Sequence, residues 1–202
     1  MGSNEQPNNT APPDPLDNPS PNSPEKIITF IGATSTGKSS TINALLGKSI
    51  RPVAAGHGTT RAIEQVEYKK AYYLCDTPGL MDQFKLVSDT KLVINKSEIV
   101  IYVCVGQLYR EELELLEKIY NFQRKSNQTK PTRTRKLILY VNKRDLSHKT
   151  MSPSSLSKEK ELIRSQVSNY IEEKYIVYGS ASPFNQDADI KQLQTIVDSF
   201  LV

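Results

Sequence analysis

Lys26-Ile27-Ile28-Thr29-Phe30-Ile31 runs without a break into Gly32-Ala33-Thr34-Ser35-Thr36-Gly37-Lys38-Ser39. The first six residues are mostly apolar and β-branched, the pattern of a strand buried on both faces. The next eight satisfy G-x-x-x-x-G-K-[ST]. Lys38–Leu46 then reads as a helix, with Ile42, Leu45 and Leu46 apolar and Gly47 as its C-cap. A glycine loop between strand and helix is the context in which this pattern cradles phosphate. The backbone can wrap round the anion, and N–H groups and the helix N-terminus point at negative charge. Gly32, Thr34, Ser35, Thr36, Gly37, Lys38, Ser39 and Ser40 are then the phosphate-side residues. Lys38 supplies a point charge to β- and γ-phosphates, and the Ser39 hydroxyl a ligand for Mg²⁺.

Outward from this stretch, strand and helix patterns alternate. Ile63–Tyr68 sets Glu64, Val66 and Tyr68 against Ile63, Gln65 and Glu67, which suggests an edge strand, and Ala71–Cys75 returns as its hairpin partner. Glu98–Val105 and Lys136–Val141 are continuous apolar runs that read as central parallel strands; Tyr175–Tyr178 reads as a short one. Arg110–Gln123 carries Leu113, Leu116, Ile119 and Tyr120 at helical spacing, and Leu156–Glu173 and Ala188–Val202 read likewise. Six strands with about five helices predict an α/β fold: a doubly wound, six-stranded, mostly parallel sheet with one antiparallel edge strand. That domain is expected over residues 25–202. Residues 1–24 place seven prolines among Asn, Asp and Ser, with too little apolar surface to offset ordering, and are expected to be a disordered tail.

With 202 residues, 37% hydrophobic and 24% charged, the chain suits one soluble domain. A net charge of +4, spread along the chain, leaves room for an anionic ligand and does not argue for nucleic acid. The one basic cluster, residues 125–136, has no aromatic interleaved and reads as a solvated loop ahead of a surface for RNA or acidic lipid. Cys75 and Cys104 each sit inside an apolar run and read as buried thiols. No apolar run approaches the ~20 residues of a membrane span. The N-terminus lacks a secretory design, and Gln6 stands where a myristoylation signal has Ser or Thr, so the expected address is cytoplasmic.

Three further runs complete a constellation. Asp76-Thr77-Pro78-Gly79 follows the Ala71–Cys75 strand; alone it is an ordinary turn, but there Asp76 can hold magnesium through water and the Gly79 N–H can sense a γ-phosphate. Asn142-Lys143-Arg144-Asp145 follows the Leu137–Val141 run. The Asp145 carboxylate can accept from the N1–H and N2–H₂ edge of guanine, an edge adenine lacks. Asn142 can brace the loop and reach N7, and the Lys143 stem can cover the ring. In Ser180-Ala181-Ser182, the Ala181 N–H can meet guanine O6.

In order and spacing, these four stretches resemble the G1, G3, G4 and G5 boxes of the translation-factor-type P-loop GTPases, from Gly32 to Ser182. The resemblance implies a Ras-like G domain, Mg·GTP as ligand, and GTP hydrolysis coupled to a molecular switch. Gly58-Thr59-Thr60-Arg61 resembles the switch I signature of the TrmE–Era–EngA group, although Ala62 stands where Asp usually follows. That alignment makes Thr60 a magnesium ligand beside Ser39 and Asp76, with Thr59 as fallback, and puts Lys38, Thr60 and Gly79 closest to the chemistry. Leu80 occupies the place of the water-orienting Gln of Ras-like enzymes, as in TrmE, Era and the dynamins, families that complete their site with another residue, a cation or a second G domain. Ser35 matches the dynamin-like loop, where TrmE-type members place a cation-holding Asn; a hydroxyl is an acceptable hard-cation ligand. The expectation is therefore slow hydrolysis, assisted by K⁺ or Na⁺, a GTP-dependent homodimer through the G domain, or an effector. The alternative is a nucleotide-regulated scaffold with negligible hydrolysis. Because the last helix pattern runs to Val202, neither an Era-like RNA-binding appendage nor a dynamin stalk is expected.

Overall fold

The structure, a computed structural model, describes residues 25–49, 63–80, 88–129, 136–181 and 188–201. The tail, Thr59 and Thr60, and Ser182 lie outside these described residues.

Among the described residues six strands form one sheet: β1 Lys26–Ile31, β2 Glu64–Lys69, β3 Tyr72–Asp76, β4 Ser97–Val105, β5 Lys136–Asn142 and β6 Ile176–Tyr178. Their order is β2-β3-β1-β4-β5-β6; β2 pairs antiparallel with β3, and every other pairing is parallel. The expected architecture is thus the observed one. The turn from β2 to β3 is tight enough that Ala71 adopts a φ of 65°, in the left-handed region.

Period-2 alternation divides the strands between two apolar layers. Val100, Tyr102 and Cys104 of β4, with Leu139 and Val141 of β5, face one cluster; Ile99, Ile101 and Val103, with Ile138 and Tyr140, face the other. Helices α2 (Ser88–Lys96), α3 (Arg110–Thr129) and α5 (Pro153–Val167) close the first layer through Ile94, Leu115, Leu116, Ile119, Ile163 and Val167. Helices α1 (Lys38–Leu46) and α6 (Ala188–Asp198) close the second through Ile42, Leu45, Ile190, Leu193 and Val197. A sixth helix, α4, spans Arg144–Thr150.

The described helices number six, against the expected five or so. Helix α2 buries only Thr90 and Ile94, too narrow a stripe to announce itself, and α4 is seven residues cut from a polar run. Helix α5 starts earlier than expected, because the Ser152 hydroxyl accepts from the Ser155 N–H at 3.2 Å and Pro153 takes the first turn. It stops at Val167, and Glu173–Tyr175 forms a short 3₁₀ turn before β6.

The order reverses at β1: the chain fills β3 and β2 on one side, then β4, β5 and β6 on the other. A crevice opens beyond the carboxyl ends of the strands at such a point, where α/β sheets bind ligands. Residues 32–37, Asp76, Asn142 and Gly179 all sit at that end.

Leu139, fully buried in the centre of β5, tests how far this frame supports the crevice. Leu139→Ala should lower stability by roughly 2–5 kcal/mol through lost contact and a residual cavity. In urea unfolding this appears as a lower midpoint at unchanged slope.

Candidate functional site

The loop after β1 is shaped by close approaches. A Cβ on Gly32 would fall 2.1 Å from the Val103 carbonyl oxygen, and one on Gly37 would fall 2.2 Å from Asn142 Nδ2. Gly37 and Ser35 have φ of 95° and 64°, so the loop passes twice through the left-handed region. The Thr36 hydroxyl donates to the Ala33 carbonyl at 3.0 Å. Gly37 is the N-cap of α1 and no side chain caps it, so the positive end of that helix opens into the crevice loop.

Lys38, only 6% exposed, donates from Nζ to the Gly32 and Ala33 carbonyls at 3.1 and 3.0 Å. Burial pulls its pKa down to about 8, and the nearby Asp76 charge opposes that shift. Asp76, the last residue of β3 and 1% exposed, accepts from the Ser39 hydroxyl at 2.6 Å. A hydroxyl and a carboxylate in contact are both hard oxygen donors, the set Mg²⁺ prefers. Among the described residues no group of three or more His, Cys, Asp or Glu gathers as a metal site.

The segment after β3 is fastened to the loop after β1. Thr77 donates from Oγ1 to the Phe30 carbonyl at 2.7 Å, and Leu80 N–H donates to the Gly32 carbonyl at 3.2 Å, beside a parallel bridge from Ala33 to Leu80. Gly79 lies against Thr34, and a Cβ there would come within 2.7 Å of the Thr34 Cα. Leu80 is 7% exposed and belongs to the core cluster that includes Ile31, Ile94 and Leu108. Its side chain packs in the core instead of lining the crevice.

At the far side, Asn142 is the last residue of β5 and is buried. Its Nδ2 donates to the Thr36 carbonyl at 2.8 Å, while its Oδ1 accepts from the Lys143 and Ala181 N–H groups at 2.8 and 2.9 Å. The Ser180 hydroxyl donates to Asp145 Oδ1 at 2.5 Å. The Gly179 N–H donates to the Val141 carbonyl at 2.9 Å, and the Arg144 N–H to the Gly179 carbonyl at 3.1 Å. The structure thus gathers the glycine loop, Lys38, Ser39, Ser40, Asp76, Gly79, Asn142, Lys143, Asp145, Ser180 and Ala181 at one end of the sheet. The Ala181 N–H, expected as a donor to a base oxygen, donates to Asn142 Oδ1 in this structure. Sequence reading passed over Glu159, whose carboxylate takes the Arg144 guanidinium at 2.5 Å; fifteen residues apart on different elements, the pair leaves no spacing signal.

A family model described as 50S ribosome-binding GTPase matches residues 27–143, from β1 to the Asn-Lys pair. The chain is 35% identical over 104 residues to Large subunit GTPase 1 of Saccharomyces cerevisiae, covering 51% of this chain and 15% of that protein. It is 38% identical over 61 residues to the probable GTP-binding protein EngB of Aquifex aeolicus, covering 30% and 32%. The matched stretches thus span about a third or less of these relatives. In fold, the crystal structure of a dimerization-deficient mutant of Toc33 from Arabidopsis thaliana is similar at a TM-score of 0.55 and 17% identity, covering 87% of this chain and 83% of that one.

The depressed Lys38 pKa has a stability signature. Its ordinary value is 10.5, so between about 8 and 10.5 the unfolded lysine holds a proton that the folded one has released. The burial penalty is therefore fully present below pH 8 and fades as pH rises. Relative to Lys38→Met, the wild type should gain up to about 3 kcal/mol between pH 7.5 and 10.5, read from paired urea midpoints.

Proposed function

The chain belongs to the 50S ribosome-binding GTPase family, and on that footing we propose that it binds GTP with magnesium in the crevice and hydrolyses it to GDP and phosphate as a molecular switch. The observation that carries this reading is the Asn142 amide, which ties the phosphate-side loop at Thr36 to Lys143 and to Ala181. Base and phosphate recognition are thereby built on one frame.

In this reading the phosphates lie along Gly32, Thr34, Ser35, Thr36, Gly37, Ser39 and Ser40, at the uncapped start of α1. Lys38 exchanges its carbonyl partners for phosphate oxygens, whose negative charge opposes the burial that lowers its pKa. Ser39 and Asp76 would hold Mg²⁺, with Thr60 joining by resemblance. When bound, the ion neutralises charge building between the β- and γ-phosphates. The Gly79 N–H stands for the γ-phosphate sensor. Asp145, oriented by Ser180, accepts from the guanine N1–H and N2–H₂, and the Lys143 stem covers the ring. Asp145→Asn should weaken GTP binding by about 10²-fold or more and favour xanthosine triphosphate, in a competition assay with labelled nucleotide. Unchanged GTP affinity would overturn the assignment.

Leu80 bears on the rate. With an apolar side chain in the core it cannot orient water, so the lone chain should turn over at roughly 10⁻⁴–10⁻³ s⁻¹. We infer that the missing positive charge comes from K⁺ or Na⁺ near the exposed Ser35, closed over by a second copy of the domain. Among the described residues no helix is long and apolar enough to cross a membrane. Specific activity should rise with protein concentration and with K⁺, and Ser35→Ala should remove both effects. Turnover flat in both variables would favour an external activating partner, or a binding module that scarcely hydrolyses.

A further inference from the structure

Between Asn142 and Asp145 stands Arg144, and its side chain is buried to 3% exposure. The guanidinium donates to Glu159 in α5, itself 13% exposed, and lies 5.8 Å from the centre of the Tyr178 ring. A longer contact, at 3.5 Å, reaches the Ser147 hydroxyl. The Tyr178 hydroxyl donates in turn to the Lys160 carbonyl at 3.2 Å. Backbone and side chain of Arg144 therefore join three segments: the loop after β5, the loop after β6 through the Gly179 carbonyl, and α5.

Two features suggest that this pair serves more than stability. Arg144 Nε and Nη2 are buried without a hydrogen-bond partner, so the guanidinium is only partly satisfied. A buried ion pair with unmet donors is commonly no better for stability than apolar residues of the same volume. Next to it, Lys143 has a φ of 59°, and it begins α4 with no side-chain cap. A non-glycine residue in that region persists only where its surroundings over-determine it. The anchors of Arg144 add to the bond between the Lys143 N–H and Asn142 Oδ1, one residue from the strained position and one from Asp145.

We propose that Arg144 is a positioning residue for guanine recognition: pinned by Glu159, it fixes how Lys143 and Asp145 meet the base and so sets how fast nucleotide leaves. The inference rests on the reading of Asp145 as the base acceptor. It makes α5, outside the site itself, part of the grip on the base.

The test replaces both partners, so that no buried charge is left alone. In the full-length chain, Arg144→Met with Glu159→Leu should keep its melting temperature within a few degrees. It should release a fluorescent GDP analogue about tenfold faster, as expected for one weakened charged hydrogen bond, and lose preference for GTP over xanthosine triphosphate. Single-turnover hydrolysis of bound GTP should stay put, a split that general loosening of the fold would not give. Arg144→Lys, which keeps charge but not the planar fork, should fall between. A folded double variant with wild-type release overturns the proposal. Should the double variant fail to fold, Glu159→Gln decides, since losing the charge alone should still speed release and an unchanged rate overturns the proposal equally. Asp145→Asn measured alongside separates the two ideas. No shift toward xanthosine triphosphate removes the base assignment itself, whereas a shift with unaltered release in the double variant removes only the role of Arg144.

Discussion

One buried amide holds the crevice together. Asn142 ends a strand buried from Leu137 onward, and it spends its donor on Thr36 and its acceptor on Lys143 and Ala181. An amide offers donor and acceptor at neighbouring positions: a carboxylate would repel the Thr36 carbonyl, and an aliphatic chain would leave buried polar groups unmet. The same side chain dictates Gly37, because any Cβ there would collide with its nitrogen. Loop shape, helix start and the far loop are therefore consequences of one group at the edge of the core.

The side facing β3 is built by a different device. There the segment from Asp76 to Leu80 is joined to the glycine loop by backbone, through Leu80 and Gly32, and by contact, through Gly79 and Thr34. Leu80 drives its side chain into the same layer as Ile31 and Ile94, so hydrophobic burial helps hold the segment in place. An apolar residue at this position removes a polar group from the crevice and adds a packing contact beneath it.

Much of this was legible in the residues. Continuous apolar runs announced β1, β4 and β5, since strands buried on both faces show no alternation to misread. Glycines and the lysine of the loop were legible because their chemistry depends on fixed spacing. What escaped depended on tertiary partners. Helix α2 buries two residues and α4 almost none, so neither carries a stripe. Asp76 and Asn142 read as loop residues but close β3 and β5 as their last members, because ladder pairing continues through them to Phe30 and Val105. The Arg144–Glu159 pair joins elements whose separation in sequence carries no period, and the engagement of the Ala181 N–H is visible only once β6 lies beside β5.

The edges of the sheet carry a consequence of their own. One edge is β2, whose exposed residues are Glu64, Gln65, Glu67 and Lys69; the other is β6, only three residues long. Exposed edges invite strand-by-strand addition of other chains, and charge or brevity discourages it. Lys69 and Tyr68 are further tied to Asp198 on α6, at 2.7 and 3.0 Å, so the charged edge is held against the body of the domain. Neither lateral border of the described sheet therefore presents a long, uncharged template for strand addition.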